Sequence, residues 1–568
     1  MKPEVIHARV SDRLLDQADL LFRNDDGGVF VEILQNARRA GATRLDIKIE
    51  SDRNDPAASR IVVHDNGHGI DQFQDLVSLG HSGWDEKTRE KESPAGMGFY
   101  SLCHSEVLVA SGFRQVLLSP QVFLGKASAT TVQTGTFVRG TRIEFTRPSD
   151  LGRLTAAIES ITKFCPLEVY LNGNPLGRQD FLAGSLHREW IDGIEVGFAT
   201  RFEHNDWSGC PNWNFYGRCI REECDKIDGL LEHDESRGYS IRTLYMRFNV
   251  EETKQVQLQL PERRAIVEGP ALDEFLRKAR AAAYRFFQKQ EHHVLSFKNW
   301  TEAQSLGIVL SEASPFLHPW NAKPADQYSE PLFGESERRM LESVFADMLV
   351  EDDLPNSHTL EAALQKHPAL YKHLNEEHLE FAGYSWYDAM PRVTDTCVYA
   401  DGVPFDQWEK YGSKRPRAME VKIIVESAAR GEHSIPLPVE IHVSNEDGLE
   451  FTAIESSPWD NPTLTGPFDI LDFLIWAGFQ SSDDWESDTW DTQLDNFRAD
   501  VQRQVNEYFR GPRAALLALL HDALSWDARQ YIKEVEVSEI LFRRKDQDAH
   551  SWDIVLVEDY KHTAQAGR

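Results

Sequence analysis

Cysteine is scarce in this sequence. The number and the spacing of the cysteines argue against a disulfide framework and against a cysteine-ligated zinc site. Six cysteines in 568 residues are too few for a disulfide framework. Cys210, Cys219 and Cys224 lie close together, but the sequence has no C-x-x-C pair, which zinc sites usually contain. We therefore expect reduced thiols and no zinc site at this cysteine cluster.

Long hydrophobic runs are also absent. The first residues, MKPEVIHARVSDRLL, lack the apolar core of a signal peptide. No window approaches the ~18 consecutive apolar residues that a membrane-spanning helix needs, and the most apolar stretch, 470–479, is too short. We expect a soluble, cytoplasmic protein that does not associate with membranes.

Positive charge is in short supply, and the deficit is concentrated in one half of the chain. The formal net charge is -31. Residues 301–568 hold 23 Lys and Arg against 49 Asp and Glu, whereas residues 1–150 hold 18 against 21. An acidic surface repels nucleic acid and anionic membranes. It keeps the chain soluble or meets a basic partner, so the expected partner is a protein client rather than nucleic acid.

The length and the pattern of elements predict an α+β protein with several domains, because one hydrophobic core rarely serves a chain of this size. We expect domains at 1–185, 186–300 and 301–568, with the proline-containing stretch 311–337 as an irregular connection. Apolar periodicity predicts helices over 7–23, 29–41, 151–164, 270–291 and 337–349. Alternation predicts strands over 44–50, 60–65, 140–145 and 255–261.

The first motif with chemical potential lies on the predicted helix 29–41. Glu32 and Asn36 are four residues apart and therefore share one helix face. A carboxylate beside an amide oxygen suits water activation and magnesium binding, since Mg²⁺ prefers hard oxygen ligands. Taken alone, the pair is equally compatible with a solvated polar stripe.

The second motif, Asp65-Asn66-Gly67-His68-Gly69-Ile70, follows the apolar strand 60–65 directly. A buried carboxylate at a strand end can accept a hydrogen bond from an exocyclic amine such as that of adenine. Two glycines let the backbone turn tightly and approach a flat ring. A simple Asn-Gly turn is the alternative.

The third motif, Pro94-Ala95-Gly96-Met97-Gly98-Phe99-Tyr100-Ser101, places two glycines before a predicted helix start. Backbone N–H groups at such a start are free to bind an anion such as phosphate. A lone G-x-G is weak evidence, and the order of all three motifs within about 70 residues carries the inference.

This array resembles the GHKL ATPase superfamily, which includes gyrase B subunits, mismatch-repair ATPases, ninety-kilodalton heat-shock chaperones and histidine kinases. Gly140-Thr141 is similar to the last nucleotide motif of that superfamily. The resemblance covers residues 25–145. It implies an N-terminal Bergerat α/β sandwich, followed by a transducer-like αβ domain and an acidic αβ C-terminal domain without interpretable motifs.

The resemblance also implies roles for individual residues, with ATP and Mg²⁺ as cofactors. Glu32 would be the general base, Asn36 the magnesium ligand and Asp65 the adenine acceptor, supported by Thr141. Gly67, Gly69 and Ile70 would shape the adenine pocket, and residues 71–95 would form a lid. The residues expected to cradle the phosphates are Gly96, Met97, Gly98 and Phe99.

One position departs from the superfamily pattern. Arg39 stands three residues after Asn36, where the superfamily often has Asp. This change affects the expected contacts of the lid and the metal-bound water rather than ATP binding. An ordinary surface arginine is the alternative interpretation.

Phosphoryl transfer needs charge neutralisation, and related ATPases take a further cation from the next domain. Lys254, before the strand 255–261, and Arg263 and Arg264, after it, are the candidates. Each is also compatible with an ordinary surface charge.

Three functions are compatible with these observations. The first is a chaperone-like conformational-switch ATPase that acts on protein partners, with an ATP-dependent homodimer to which helix 7–23 contributes. The acidic C-terminal half and the GMGFYS motif favour it. The second, a DNA-transaction ATPase of the mismatch-repair or topoisomerase type, is opposed by the charge. The third is an ATP-sensing module without significant turnover.

Overall fold

The computed structural model describes the chain from residue 26 to residue 558, apart from several internal segments. These segments are 53–54, 56, 79–82, 85, 87–97, 203–210, 224, 235, 237, 254, 260–264, 330–336, 345, 409–414, 445–448, 455–469, 483–488, 524–531, 533–536 and 545–551. The predicted helix 7–23 lies outside the described residues. The chain divides into two compact units, Met1–Ser314 and Pro315–Arg568, so the division into three domains stays a prediction.

The first unit begins with a mixed sheet in the order β3-β4-β2-β1-β5-β6. Its elements are α1 Asp26–Arg39, β1 Arg44–Ser51, β2 Ser59–Asp65, β3 Val107–Leu118, α2 Pro120–Phe123, β4 Val132–Arg147, α3 Leu151–Thr162, β5 Glu168–Leu171 and β6 Asn174–Pro175. Two 3-10 helices, Phe73–Val77 and Gly98–Leu102, lie between β2 and β3. These bounds agree with the expected order of helices and strands around the motifs.

One face of this sheet is closed by helices. Leu45, Ile47 and Ile49 are buried on alternate positions of β1, as period-two patterning requires. They share a core with Phe30 and Leu34 of α1. The apolar face of α1 is therefore fixed on the sheet, and this fixes where its polar side chains lie.

The second sheet of this unit has the order β10-β9-β12-β8-β7, with β11 also paired to β12. Its elements are β7 His187–Ile191, β8 Ile194–Ala199, β9 Trp213–Phe215, β10 Arg218–Ile220, β11 Lys226–Asp234, β12 Gly238–Val250, α4 Pro270–Phe287 and α5 Phe297–Ser305. The core joins the sheet to α4, with Trp213 stacked 4.2 Å from Phe248 and Phe275 against both rings.

The predicted strand 255–261 is wrong in its described part. Residues 255–259 form only an isolated bridge between Leu258 and Ile266. Alternation is satisfied there, but a strand also needs a partner along its length, and no continuous ladder forms among the described residues.

The second unit is also α+β, with a sheet in the order β16-β15-β17-β19-β20. Its strands are β13 Phe316–Leu317, β14 Arg339–Met340, β15 Met348–Val350, β16 Leu374–Glu376, β17 Arg392–Ala400, β18 Val403–Pro404, β19 Met419–Ser427, β20 Gly431–Val439, β21 Ile441–Ser444, β22 Glu450–Ala453, β23 Val537–Arg544 and β24 Trp552–Glu558. Its helices are α6 Ser357–Leu364, α7 Pro368–Tyr371, α8 Ser385–Asp388, α9 Phe405–Trp408, α10 Ile470–Gly478, α11 Trp490–Arg510 and α12 Pro512–Ala523.

The predicted helix 337–349 is wrong. That segment contains β14 and the first part of β15. Met348, Leu349 and Val350 are buried between parallel neighbours β16 and β17, so sheet pairing overrides the helical periodicity. Among the described helices of the chain, none is long and apolar enough to cross a bilayer.

Candidate functional site

A cavity of about 210 Å³ lies in the first unit, between α1, the end of β2 and the 3-10 helix Gly98–Leu102. Eight of the residues predicted from the three motifs and Gly140-Thr141 line it: Glu32, Asn36, Asp65, Gly69, Ile70, Gly98, Phe99 and Thr141. Side chains that are up to 109 positions apart in the sequence therefore meet around one space. Apolar walls beside them come from Ile33, Val63, Leu76 and Ile143.

The remaining predicted residues have different positions. Gly67 lies next to the cavity, with its N–H bonded to Asp65. The others, Gly96, Met97, Lys254, Arg263 and Arg264, fall outside the described residues, so their roles stay predictions.

Asp65 is held rigidly at the end of β2. It is 7% exposed, and its Oδ1 accepts hydrogen bonds from the Gly67 N–H at 2.8 Å and the Thr141 N–H at 3.4 Å. Burial raises the pKa of Asp65, and these bonds, with the Thr141 side chain, oppose the rise by stabilising the carboxylate. The arrangement produces a fixed acceptor in an apolar wall, as recognition of an aromatic amine requires.

The backbone beneath Asp65 admits only glycine at position 140. Gly140 has φ +70°, and a Cβ there would stand 2.1 Å from the Asp65 carbonyl oxygen. A left-handed backbone and this close approach both exclude larger residues. Close packing of β4 against the end of β2 thus places the Thr141 N–H at the carboxylate.

Ser111 supports the backbone beside the pocket and was not found by sequence reasoning. Its buried Oγ donates to the Gly140 carbonyl at 2.8 Å and accepts from the Ile70 N–H at 2.9 Å. Through these two hydrogen bonds, Ser111 joins the loop after β2 to β4. No local motif marks this serine, because its partners are 29 and 41 residues away.

Glu32 and Asn36 face the cavity from α1, one turn apart, as predicted. The Glu32 side chain is 13% exposed. Asn36 Oδ1 accepts a hydrogen bond from Arg39 Nη1 at 3.2 Å. Arg39 itself lines the cavity, so it is a pocket residue rather than an ordinary surface arginine.

The second sheet reaches Glu32 through a residue that the sequence analysis did not select. Nη1 of Arg218, on β10, lies 3.8 Å from Glu32 Oε1, and its side chain is 17% exposed. Gln35 on the same helix donates to the carbonyls of Phe215 and Tyr216 at 3.2 Å. The β9–β10 hairpin is therefore attached to the helix that carries the predicted general base.

The residues present fit a nucleotide and its magnesium ion. The cavity combines apolar walls with the buried acceptor Asp65, which matches a purine bearing an amine. Asn36 would hold Mg²⁺ through its amide oxygen, and Arg39, which donates to that oxygen in this structure, would release it to the metal. Arg39 adds a positive charge where phosphate oxygens would need compensation.

Comparison with known proteins agrees with this geometry. Residues 27–112 match the family described as "Histidine kinase-, DNA gyrase B-, and HSP90-like ATPase". The predicted superfamily is confirmed: this part of the chain belongs to the GHKL ATPases. No curated protein matches the sequence.

Several solved structures are similar to the chain at a low level. One is the N-terminal domain of a DNA repair protein, with 13% identity and a TM-score of 0.30, covering 48% of this chain and 98% of the other. The ATPase region of Saccharomyces cerevisiae topoisomerase II has 15% identity and a TM-score of 0.23, covering 33% and 59%. The 43K ATPase domain of Thermus thermophilus gyrase B has 17% identity and a TM-score of 0.20, covering 30% and 56%. The chain thus spans less than two thirds of the topoisomerase and gyrase chains, and at these TM-scores no reaction or partner is transferred from them.

Proposed function

We propose that this chain binds ATP with Mg²⁺, hydrolyses it, and uses the cycle as a conformational switch acting on a protein partner. The observation that carries the proposal is the convergence of Glu32, Asn36 and Asp65 on one cavity within a GHKL ATPase domain.

The chemistry assigned to each residue follows from its position. Asp65 accepts a hydrogen bond from the adenine amine, because it is fixed in an apolar wall. Glu32 takes a proton from the attacking water as a general base. Asn36 binds Mg²⁺, which neutralises the charge of the phosphates.

Arg218 is a cation that the second sheet supplies beside this site. Its guanidinium lies next to Glu32, so it is placed to hold that carboxylate or to meet negative charge on the terminal phosphate. We propose it for the role for which Lys254, Arg263 and Arg264 were the sequence candidates, and those three remain candidates beside it.

The proposed partner is a protein and the proposed location is the cytoplasm. The acidic residues of 301–568 favour a basic protein surface over nucleic acid. Among the residues that the structure describes, Cys165, Cys219 and Cys397 form no disulfide, which is compatible with a reducing compartment. The proposed assembly is an ATP-dependent homodimer.

Two substitutions test the proposed chemistry separately. Glu32→Ala should lower phosphate release at least ~100-fold, the scale of a lost general base, while ATP affinity is retained. Asp65→Asn should weaken ATP binding ~10- to 100-fold, because it replaces an ionised acceptor by an amide. Calorimetric titration with a non-hydrolysable ATP analogue and a phosphate-release assay measure the two effects.

Glu159→Ala, on the exposed face of α3, is the matched control and should change neither quantity. Equal phosphate release by wild type and Glu32→Ala would remove Glu32 as the base. Nucleotide binding without measurable turnover in the wild type would identify a sensor instead. Salt-dependent DNA binding at physiological ionic strength would favour a DNA-transaction ATPase.

A further inference from the structure

Three potential metal ligands meet in the second unit, far along the sequence from the nucleotide motifs. His318, Glu376 and His378 each offer one ligand atom, and these atoms lie within 4.8 Å of one another. All three side chains are half-buried. Nothing in the proposed ATPase chemistry uses them.

The backbone brings these side chains to one face. An antiparallel bridge joins Pro319 to Asn375, and His318 O accepts from the Glu376 N–H at 2.9 Å. His318 therefore stands directly opposite Glu376, and opposite residues of an antiparallel pair project to the same side. His378 is two residues further along, with an extended backbone at φ -126° and ψ 91°, which returns its side chain to that side.

The distances suit a metal centre. His318 Nδ1 lies 3.2 Å from His378 Nε2 and 3.8 Å from Glu376 Oε2. Two imidazole nitrogens bound tetrahedrally to zinc at ~2.0–2.1 Å are separated by about 3.3 Å. The two histidines thus already have nearly the spacing of zinc ligands, and the glutamate needs only a small side-chain rotation.

Hydrogen bonds to neighbouring groups hold the backbone of the cluster in place. The His378 N–H donates to the hydroxyl of the fully buried Tyr387 at 2.9 Å. The Trp320 N–H donates to Leu374 O at 3.0 Å on the other side of the bridge. Such anchoring holds ligands in place before the metal arrives.

We propose that His318, Glu376 and His378 bind one divalent transition-metal ion of the zinc class. Three protein ligands leave at least one coordination position for water or a substrate group. Imidazole ligands select zinc-like ions over magnesium, so this centre is chemically distinct from the Mg²⁺ site proposed at Asn36. It is also a zinc site of a kind that the cysteine pattern does not reveal.

Arg338 competes with the metal in this arrangement. Its Nε lies 3.3 Å from His318 Nδ1, and its Nη2 lies 3.3 Å from Glu380 Oε1. A cation beside a ligand atom opposes metal binding. The carboxylate of Glu380 offers the guanidinium an alternative partner when the metal enters.

Cobalt titration of the full chain, after dialysis against a chelator, tests the proposal. One equivalent of Co²⁺ should produce visible absorption bands of a low-symmetry site, and Zn²⁺ should displace it. Loss of one hydrogen-bond partner of a metal ligand costs about 10- to 100-fold in affinity, so His318→Ala, Glu376→Gln and His378→Ala should each weaken binding by at least that factor. Arg338→Gln should tighten it.

Two controls distinguish metal binding at the proposed site from binding at other histidines and at the nucleotide site. His433→Ala, on strand β20 of the same unit, should leave the affinity unchanged, and so should Asp65→Asn. Glu376→Gln is close to isosteric, so a retained circular dichroism spectrum excludes unfolding as the cause of its effect. The proposal is overturned if the three ligand variants bind Co²⁺ as the wild type does. Unchanged or weaker binding in Arg338→Gln would contradict the competition assigned to Arg338.

Discussion

At the scale of single residues, Gly98 shows how little space the proposed reaction centre leaves. A Cβ at this position would stand 2.2 Å from Glu32 Oε2. That atom is the far end of a flexible side chain, so the helix can remain folded while the carboxylate moves aside.

Gly98→Ala should therefore reduce phosphate release at least ~10-fold, since a 1 Å misplacement of a catalytic group can cost far more. The thermal unfolding midpoint should change little. The control is Gly135→Ala, where a Cβ meets open space and turnover should be retained. Wild-type turnover in Gly98→Ala would show that Glu32 does not need its present position.

The residues that sequence reasoning found share one property: each belongs to a short, local motif. Glu32 and Asn36 are fixed by helix geometry, and Asp65 by its place after a strand. Ser111 contacts the pocket backbone and Arg218 contacts Glu32 only because the fold brings distant segments together. Their contacts depend on sheet register, which a single sequence does not encode in any local pattern.

At the scale of elements, helix α6 places an ionisable side chain in the hydrophobic core of the second unit. Glu361 is 1% exposed in the core of the second unit, and burial raises its pKa to about 8. The unfolded value is about 4.3. Between these two values the folded chain keeps a proton that the unfolded chain has lost.

The free energy of unfolding of the second unit should therefore fall as pH rises from about 4.3 to 8. The slope should be at most about 1.4 kcal/mol per pH unit. Glu361→Gln should remove this slope and slow hydrogen exchange of residues 357–364 at pH 7.5, with little effect at pH 5. Glu351→Gln, at an exposed position, should behave as the wild type. An equal pH dependence of exchange in Glu361→Gln and wild type would rule out Glu361 as the source.

Elements were predictable where periodicity and packing agree. The bounds of α1, β1 and β2 follow the sequence pattern closely, since each contributes an apolar face to one core. The segments 255–261 and 337–349 have patterns that suggest regular elements, yet partners elsewhere in the fold decide their structure. The triad His318, Glu376 and His378 was missed for the same reason, because a bridge between segments almost 60 residues apart creates it.

At the scale of the whole molecule, the proposed assembly is tested by molar mass. A non-hydrolysable ATP analogue with Mg²⁺ should double the mass measured by light scattering after size-exclusion chromatography. Nucleotide favours the dimer in proportion to its differential affinity for the two states. Asp65→Asn should therefore remain monomeric at the same analogue concentration.

A variant that begins at residue 26 tests whether the segment containing the predicted helix 7–23 contributes to this dimer. It should bind the analogue but dimerise less. A mass that does not change with saturating analogue would contradict the nucleotide-dependent dimer. A mass that is doubled in its absence would indicate a constitutive one.

The contact between Arg218 and Glu32 also limits where a chimera of this protein and a relative can be joined. A chimera that exchanges the nucleotide domain at a boundary near residue 185 would give Glu32 a foreign neighbour and leave Arg218 facing an unrelated helix. Gene fusions should keep the stretch from α1 to β10 in one piece, because the proposed general base Glu32 and its neighbour Arg218 lie on opposite sides of that boundary.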